Sequence, residues 1–408
     1  MTLLRRMFSR SYEANVPKFF VVQALYNAFI FLPIWVLFVQ DRFGSSLGEI
    51  AWIDFAFWIT MAFTEVPTGA VADTLGRKHS MAIGVVMAII TTTSFGLSPN
   101  YVFLLVANSL WAISFTFISG ADVAFLYDTL RELDREADYQ RLRGWSQAVA
   151  VGAAGVGGAL GGLLAEINLA LPFIIYSLLQ VLTLLLIFSL REPPREVDPN
   201  TGQTLSYLDT LRITYRAILT SSNLRFVLIY ANLLPVAAAT VMFTFIQPHG
   251  QDLGIPLAGM GFLAFGISLV RSAGSISADR ITRWLGEWRW LQLAPLLVVA
   301  GLIGIGAARL PGLALFSLAV FAGPAIRPLT EKLILRESPG SVRATILSVD
   351  NLIFRLFLAF IELGTGYIGD FYTLPAAFWV LGVGSGLALG LLLYFWQRVW
   401  RPLAHQPP

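Results

Sequence analysis

Gly69-Ala70-Val71-Ala72-Asp73-Thr74-Leu75-Gly76-Arg77-Lys78 separates two long apolar runs. The stretch has what a chain needs to turn at a membrane surface. Gly76 permits a tight turn, and Gly69 permits close approach of a neighbouring helix. Asp73 is an acceptor suited to a helix N-terminus. Arg77 and Lys78 are charges that stay in the aqueous phase.

Outward from this turn the pattern recurs. Apolar runs cover roughly 18–39, 47–70, 79–97, 101–127, 143–165 and 170–190, each near the ~20 residues of a membrane helix. After a polar stretch come roughly 222–247, 256–279, 288–308, 311–334, 343–369 and 374–397. The runs are continuous, without the alternation of a membrane β-barrel. Helices satisfy their own backbone in lipid. The expected fold class is all-α integral membrane with twelve transmembrane helices, numbered here as spans one to twelve.

Composition agrees. Of 408 residues, 56% are apolar and 13% charged. A soluble domain has about 45–50% and about 25%, so a soluble enzyme of this size is excluded. There is no cysteine, hence no disulfide or thiolate chemistry. His79, His249 and His405 are far apart, so no metal site, cofactor or catalytic triad is expected. A net charge of +3 gives no footprint for nucleic acid. Mostly polar residues follow Arg5, Arg6 and Arg10, and span one is too long for a signal-peptide core.

Arginine and lysine set the expected orientation. Arg5, Arg6, Arg10, Arg77, Lys78, Arg131, Arg135, Arg191, Arg195, Arg343 and Arg401 are among those on one side; the other has only Arg42 and Arg309. Both termini are therefore expected in the cytoplasm, in a plasma (inner) membrane. Only three basic residues are lysine, Lys18, Lys78 and Lys332, as in a GC-rich bacterial genome.

The longest polar segment, 191–221, begins Arg-Glu-Pro-Pro and cannot continue a helix. Within it Leu205, Leu208, Leu211, Tyr215 and Ile218 follow helical spacing, with Arg212 and Arg216 on other faces. A helix on the leaflet and one packed on the span ends both fit. The expected organisation is 1–190, a six-helix bundle; 191–221, a linker; and 222–408, a second six-helix bundle. The halves resemble copies. Asp73 matches Asp279 and Arg77 matches Arg283 at an offset of 206; Asn27 matches Asn232 at 205. Glu331 follows Asp128 by 203, and Arg343 follows Arg143 by 200. These matches support parallel repeats about an axis along the membrane normal.

The turn at 69–78 resembles the loop signature of the major facilitator superfamily, G-x-x-x-D-R/K-x-G-R-R/K, departing from it at Thr74. The resemblance implies two pseudo-symmetric six-helix bundles rocking about a central site. It implies that Asp73 meets the start of span eleven near Arg343, and that Arg77 pairs with Asp128. These contacts would hold the cytoplasmic side closed. The second copy, Asp279 to Arg283, lacks a glycine matching Gly76 and is expected to be a weaker latch. Gly157-Gly158-Ala-Leu-Gly161-Gly162 resembles the family's antiporter motif with Gly158 in place of its proline. Small residues at this spacing also simply allow close packing. Asn108 stands nearest the place of the family's span-four arginine.

Ionisable residues inside spans are costly and face cavities or partners. Asp54, Asp122, Arg327, Asp350, Arg355 and Glu362 are such residues. Asp122 and Arg327 are repeat mates at an offset of 205, with opposite charges. By the resemblance, spans four and ten line the cavity, so Asp122 and Arg327 are expected to pair as its cytoplasmic side closes. Asp54 and Arg355 lie at similar depth on spans that the family places side by side.

Asn108, Trp111, Phe115 and Asp122 follow one helical face, as do Gln23, Asn27 and Phe31. With Asn232 and Phe243 they outline an aromatic, amide-rich substrate cavity. The resulting expectation is a proton-coupled exporter of small amphipathic compounds, with Asp122 and Asp54 as titrating groups. It would be a monomer in the bilayer, its partners being substrate and protons. The alternatives are an uptake symporter or facilitator for a sugar-like metabolite, and a non-transporting receptor or lipid-handling protein. No nucleophile–base pair suggests an enzyme.

Overall fold

The computed structural model describes residues 11–194, 207–339 and 342–399. Arg5, Arg6, Arg10, Arg195, Leu205, Arg401 and His405 lie outside the described residues, as do the side chains of Asp73, Leu208 and Leu211. Among the described residues every regular element is helical. In order these are α1 (Tyr12–Tyr26), α2 (Trp35–Phe43), α3 (Leu47–Leu75), α4 (Arg77–Gly96), α5 (Tyr101–Ile118), α6 (Ala121–Arg131), α7 (Tyr139–Ile167) and α8 (Leu171–Ser189). Then follow α9 (Tyr207–Thr220), α10 (Ser222–Thr240), α11 (Ile246–Asp252), α12 (Leu257–Leu285), α13 (Glu287–Ala307), α14 (Arg309–Glu337), α15 (Arg343–Phe371) and α16 (Leu374–Trp396).

The helix starts are written in the sequence. Ser46 caps α3 through a reciprocal pair: its hydroxyl accepts from the Glu49 N–H at 3.2 Å, and the Glu49 carboxylate accepts from the Ser46 N–H at 2.9 Å. Asn100 accepts from the Phe103 N–H at 2.9 Å and starts α5. Among the described residues ten helical stretches are long and apolar enough to cross a membrane. The α1–α2 stretch and α15 are outside that group. The former is interrupted, and α15 carries Asp350, Arg355 and Glu362 along its 29 residues.

The chain packs as two compact units. One comprises residues 1–198 with 247–268; the other comprises 199–246 with 269–408. Residues 247–268, which the sequence reading groups with the second bundle, thus cluster with the first.

In the first unit, span one is not one helix. The expectation of a continuous run over 18–39 is corrected here: α1 ends at Tyr26, Phe29 takes φ 33°, and a short 3₁₀ turn over Leu32–Ile34 leads into α2. Pro33, which has no N–H to donate, falls in the first turn of the segment that restarts, where no intrahelical donor is needed. The Asn27 amide turns back onto the Gln23 carbonyl at 2.8 Å. Broken backbone in a membrane needs other partners, since each unsatisfied group costs several kcal/mol. Side chains supply them. The Tyr176 hydroxyl donates to the Tyr26 carbonyl at 2.7 Å, and the Gln180 amide to Leu25 at 3.2 Å. Gln247 donates to the Leu32 carbonyl at 2.9 Å and accepts from the Val36 N–H at 3.0 Å.

The glycines of α7 fit against this break. A Cβ on Gly157 would collide with the Ala28 carbonyl, and one on Gly161 with the Ile30 carbonyl. On the same helix Gly162 packs against Leu257 and Ala258, at the start of α12.

Span four is also interrupted. α5 ends at Ile118, Gly120 adopts φ 82°, and α6 begins at Ala121. Asp122 therefore stands in the first turn of a new helix. It does not continue the face of Asn108, Trp111 and Phe115, and that part of the sequence reading is corrected. In the second unit α10 passes through a π-helical turn, Val241–Phe245, before α11.

Candidate functional site

In the first unit a chain of polar groups runs from the break in span one to α7. Asn27 donates to the Gln23 side-chain oxygen at 3.0 Å, and Gln23 donates to Asp122 Oδ2 at 2.8 Å. Arg143 reaches the same oxygen at 3.4 Å. Asp122 Oδ1 accepts from the Val123 N–H at 2.7 Å, a contact made available because Gly120 restarts the helix there. Gln23 is buried, while Asn27 and Asp122 are half-buried.

Aromatic rings adjoin this chain. Phe29 stacks on Phe115 at 5.7 Å between centroids and lies edge-on to Tyr26 and Trp111. Trp111 and Phe115 are 4.9 Å apart. Phe29 and Phe115 are half-buried, whereas Trp111 and Phe31 are buried. Phe31 packs into the core against Phe173 at 4.8 Å. Asn108 is likewise buried and donates to the Ile53 carbonyl at 3.2 Å, tying α5 to α3. Asp54, one residue beyond Ile53, is also buried.

The second unit holds a counterpart. Asn232 donates to Asp350 Oδ1 at 2.7 Å, and Arg327 donates to Asp350 Oδ2 at 2.5 Å. Asp350 exposes no surface. The sequence reading pairs Asp122 with Arg327. That expectation concerns the closed cytoplasmic side; within its own unit each residue has a partner, Arg143 for Asp122 and Asp350 for Arg327. The physical reason is that each repeat carries an opposite charge on the following helix, α7 after α6 and α15 after α14. Each unit thus has an amide, from α1 in one and α10 in the other, with a carboxylate and a guanidinium beyond. The order of the charges is reversed between the units. Asp350 follows Arg143 by 207, outside the 200–206 range of the repeat matches, so spacing alone does not relate them.

Further along the second unit, the Thr244 hydroxyl on the π-helical turn bonds the Glu362 carboxylate, and both residues are fully buried. Phe243, beside Thr244, is half-buried, as is Arg355.

The turn at 69–78 is built as follows. Gly76 has φ 112°, a conformation glycine adopts at no steric cost. Arg77 Nε lies 3.8 Å from Asp128, which Arg131 also approaches at 3.6 Å. Sequence reasoning missed Glu192. Its carboxylate accepts from the backbone N–H groups of Arg77 and Lys78 at 2.7 and 2.9 Å, closing the open N-terminus of α4. Lys78 Nζ donates to the Phe188 and Leu190 carbonyls at 3.0 and 2.8 Å. Asn15 clasps Arg191 through both its backbone groups. The only signal for Glu192 was an acid directly after span six.

Gly69 corrects the sequence reading: a Cβ there would meet nothing within 4 Å, so no close approach depends on it. Asp279 and Arg283 pair with each other at 2.8 Å, with 79% and 75% of their side chains exposed. Such a pair is screened by salt and holds little. Arg343 is exposed at the first residue of α15.

Residues 19–360 match the family described as Major Facilitator Superfamily. Among curated relatives, multidrug resistance protein 1 of Bacillus subtilis is 24% identical over 272 residues, covering 64% of this chain and 64% of that protein. The tetracycline resistance protein, class H, of Pasteurella multocida is 22% identical over 384 residues, covering 88% and 90%. The chain thus spans slightly under two thirds of the first of these relatives. Among solved structures, the nucleoside transporter NupG superposes with a TM-score of 0.74 at 13% identity, over 95% of this chain and 99% of that one. The D-xylose-proton symporter gives 0.73 at 14% identity, over 94% and 97%. At such identities the structural likeness shows the fold alone. The family match and the all-helical fold agree: this multi-pass membrane protein belongs to the Major Facilitator Superfamily.

Proposed function

We propose that the chain is a secondary active transporter working by alternating access, which exports small amphipathic organic compounds in exchange for protons. The observation that carries this reading is the setting of Asp122. It is a carboxylate on a membrane-length stretch, held by an amide at 2.8 Å and by a guanidinium only at 3.4 Å. Its partners can part without breaking a tight bidentate pair. The half-buried rings of Phe29 and Phe115 adjoin the same polar chain, and aromatic faces with a few polar groups suit amphipathic molecules.

The carboxylate would take its proton from one side and release it to the other as its surroundings change. Asp54 is a second candidate for that role. Multidrug and tetracycline resistance among the relatives' names supports export. A bacterial plasma membrane, cytoplasmic termini and a monomeric state complete the reading.

Proteoliposomes with an internal pH dye test it. A panel of cationic dyes, lipophilic drugs, sugars and amino acids is added under an imposed pH gradient. Substrate-dependent proton movement that Asp122→Asn abolishes is the expected result. Tracer uptake without proton movement would mean a facilitator and would remove Asp122 from the coupling role. Retained ligand binding with no transport of any kind would favour a receptor.

A further inference from the structure

α9 joins α10 through a single residue, Ser221, which caps α10 by accepting from the Leu224 N–H at 3.1 Å. The junction is braced. The Arg225 guanidinium donates to the carbonyls of Ile218 and Leu219, the last carbonyls of α9, where a cation also complements the helix dipole. These contacts tie the end of α9 to the start of α10.

α10 opens a 31-residue stretch long and apolar enough to cross a membrane, so its start falls near a bilayer interface. Phe226 on α10 stacks on Trp396 at 6.3 Å, and Trp288 meets Trp396 at 5.8 Å. Trp284, at the end of α12 just before this cluster, is 82% exposed. Trp396 itself is buried in the packing between these helix ends, whereas an exposed tryptophan at a helix end, as Trp284 is, marks the headgroup level.

One strip of α9 packs inward and another faces out. Thr214 is buried, and Ile213, Ala217 and Ile218 are half-buried beside it. Arg212, Tyr215, Arg216 and Leu219 are exposed and fall at i, i+3, i+4 and i+7, a single face. The sequence reading sets Tyr215 on the leucine stripe, apart from the two arginines; in the structure it is exposed on the same side as they are. In sequence α9 has one acid, Asp209, against these two arginines. A strip of two cations, a tyrosine and a leucine at headgroup level has the character of an interfacial helix and not that of a solvated face.

We infer that the Arg212–Tyr215–Arg216–Leu219 face of α9 docks on the anionic headgroups of the leaflet from which α10 starts. The two guanidiniums meet lipid phosphates, and the Tyr215 ring and Leu219 enter the boundary between headgroups and acyl chains. The inference rests on packing and charge in the second unit and is independent of the transport reading. An arginine near an anionic surface is worth roughly fivefold in partitioning.

The chain has no cysteine, so one can be introduced cleanly. Leu219→Cys, carrying a polarity-sensitive fluorophore, is placed in nanodiscs of phosphatidylcholine alone and of equal parts phosphatidylcholine and phosphatidylglycerol. Acrylamide, a neutral quencher, reports exposure to water. In the anionic discs we expect a blue-shifted emission and quenching lowered by about twofold or more, reversed by high salt. Arg212→Gln with Arg216→Gln abolishes the difference, and Arg212→Lys with Arg216→Lys keeps it. A label at Glu136→Cys, on an exposed turn of the first unit, does not change. Equal quenching in both discs, a difference that survives the glutamines, or an equal change at position 136 overturns the inference. Should the glutamine protein fail to fold, the salt titration of the Leu219→Cys protein decides.

Discussion

Arg327 Nη2 lies 2.5 Å from Asp350 Oδ2, and Asp350 is completely buried. The Asn232 amide occupies the other carboxylate oxygen. Arg327→Gln leaves a buried carboxylate without its cation. We expect a loss of about 3 kcal/mol, the low end for breaking a buried pair because 36% of the Arg327 side chain is exposed. Thermal unfolding of the protein in detergent checks this. Arg327→Met combined with Asp350→Leu should recover most of the loss, since it removes both charges together. If the double variant is no more stable than Arg327→Gln, the pair is not what orders this site.

The counterpart in the first unit is looser, and its variants should behave differently. Asp122 has Arg143 at 3.4 Å and retains a backbone N–H partner. Asp122→Asn keeps the size and should cost under about 1 kcal/mol of stability. Substrate-driven proton movement in proteoliposomes should nevertheless fall by at least about tenfold, because an amide cannot carry the proton. Gln23→Leu should lower it as well. A fall in stability matching the fall in flux would instead make Asp122 a structural residue.

Gly157 and Gly161 seat the broken segment of span one. Gly157→Ala and Gly161→Ala each push a methyl group into a backbone carbonyl, of Ala28 or Ile30, which cannot swing aside. We expect each to cost 2 kcal/mol or more, about the range of overpacking, seen as lower melting temperature and yield. Gly69→Ala is the control. It has open space and sits inside a helix, so it should be neutral or stabilising by up to about 1 kcal/mol.

Glu192 closes the start of α4 from 114 residues away. Glu192→Ala opens the amides of Arg77 and Lys78. Hydrogen exchange followed by mass spectrometry should show faster exchange over the first turn of α4, consistent with a cap worth about 1 kcal/mol. Glu192→Gln should have a smaller effect, because it keeps an acceptor and loses only the charge. Unchanged protection in Glu192→Ala would mean that water replaces the carboxylate at no cost.

Much was legible in the chain itself. Continuous apolar runs near membrane length determined an all-helical membrane protein, because in lipid a backbone must satisfy itself and helices do so locally. The turn at 69–78 and the recurrence of Asp73, Arg77 and Asn27 near an offset of 205 pointed to the superfamily and its repeats. These features are local or periodic, and sequence records both.

What escaped the sequence is long-range. No periodicity shows that span one breaks at Asn27–Phe31, because a break is tolerable only when Tyr176, Gln180 and Gln247 arrive to satisfy it. No spacing rule gives Arg143 to Asp122 or Asp350 to Arg327. A charge in a low-dielectric interior takes the nearest opposite charge, and which one is nearest depends on helix packing. Thus the sequence alone determined the membrane class and the repeat, through backbone hydrogen bonding and hydrophobic length. Only the tertiary structure decided the partners of the buried charges, because those energies depend on distances between residues remote along the chain.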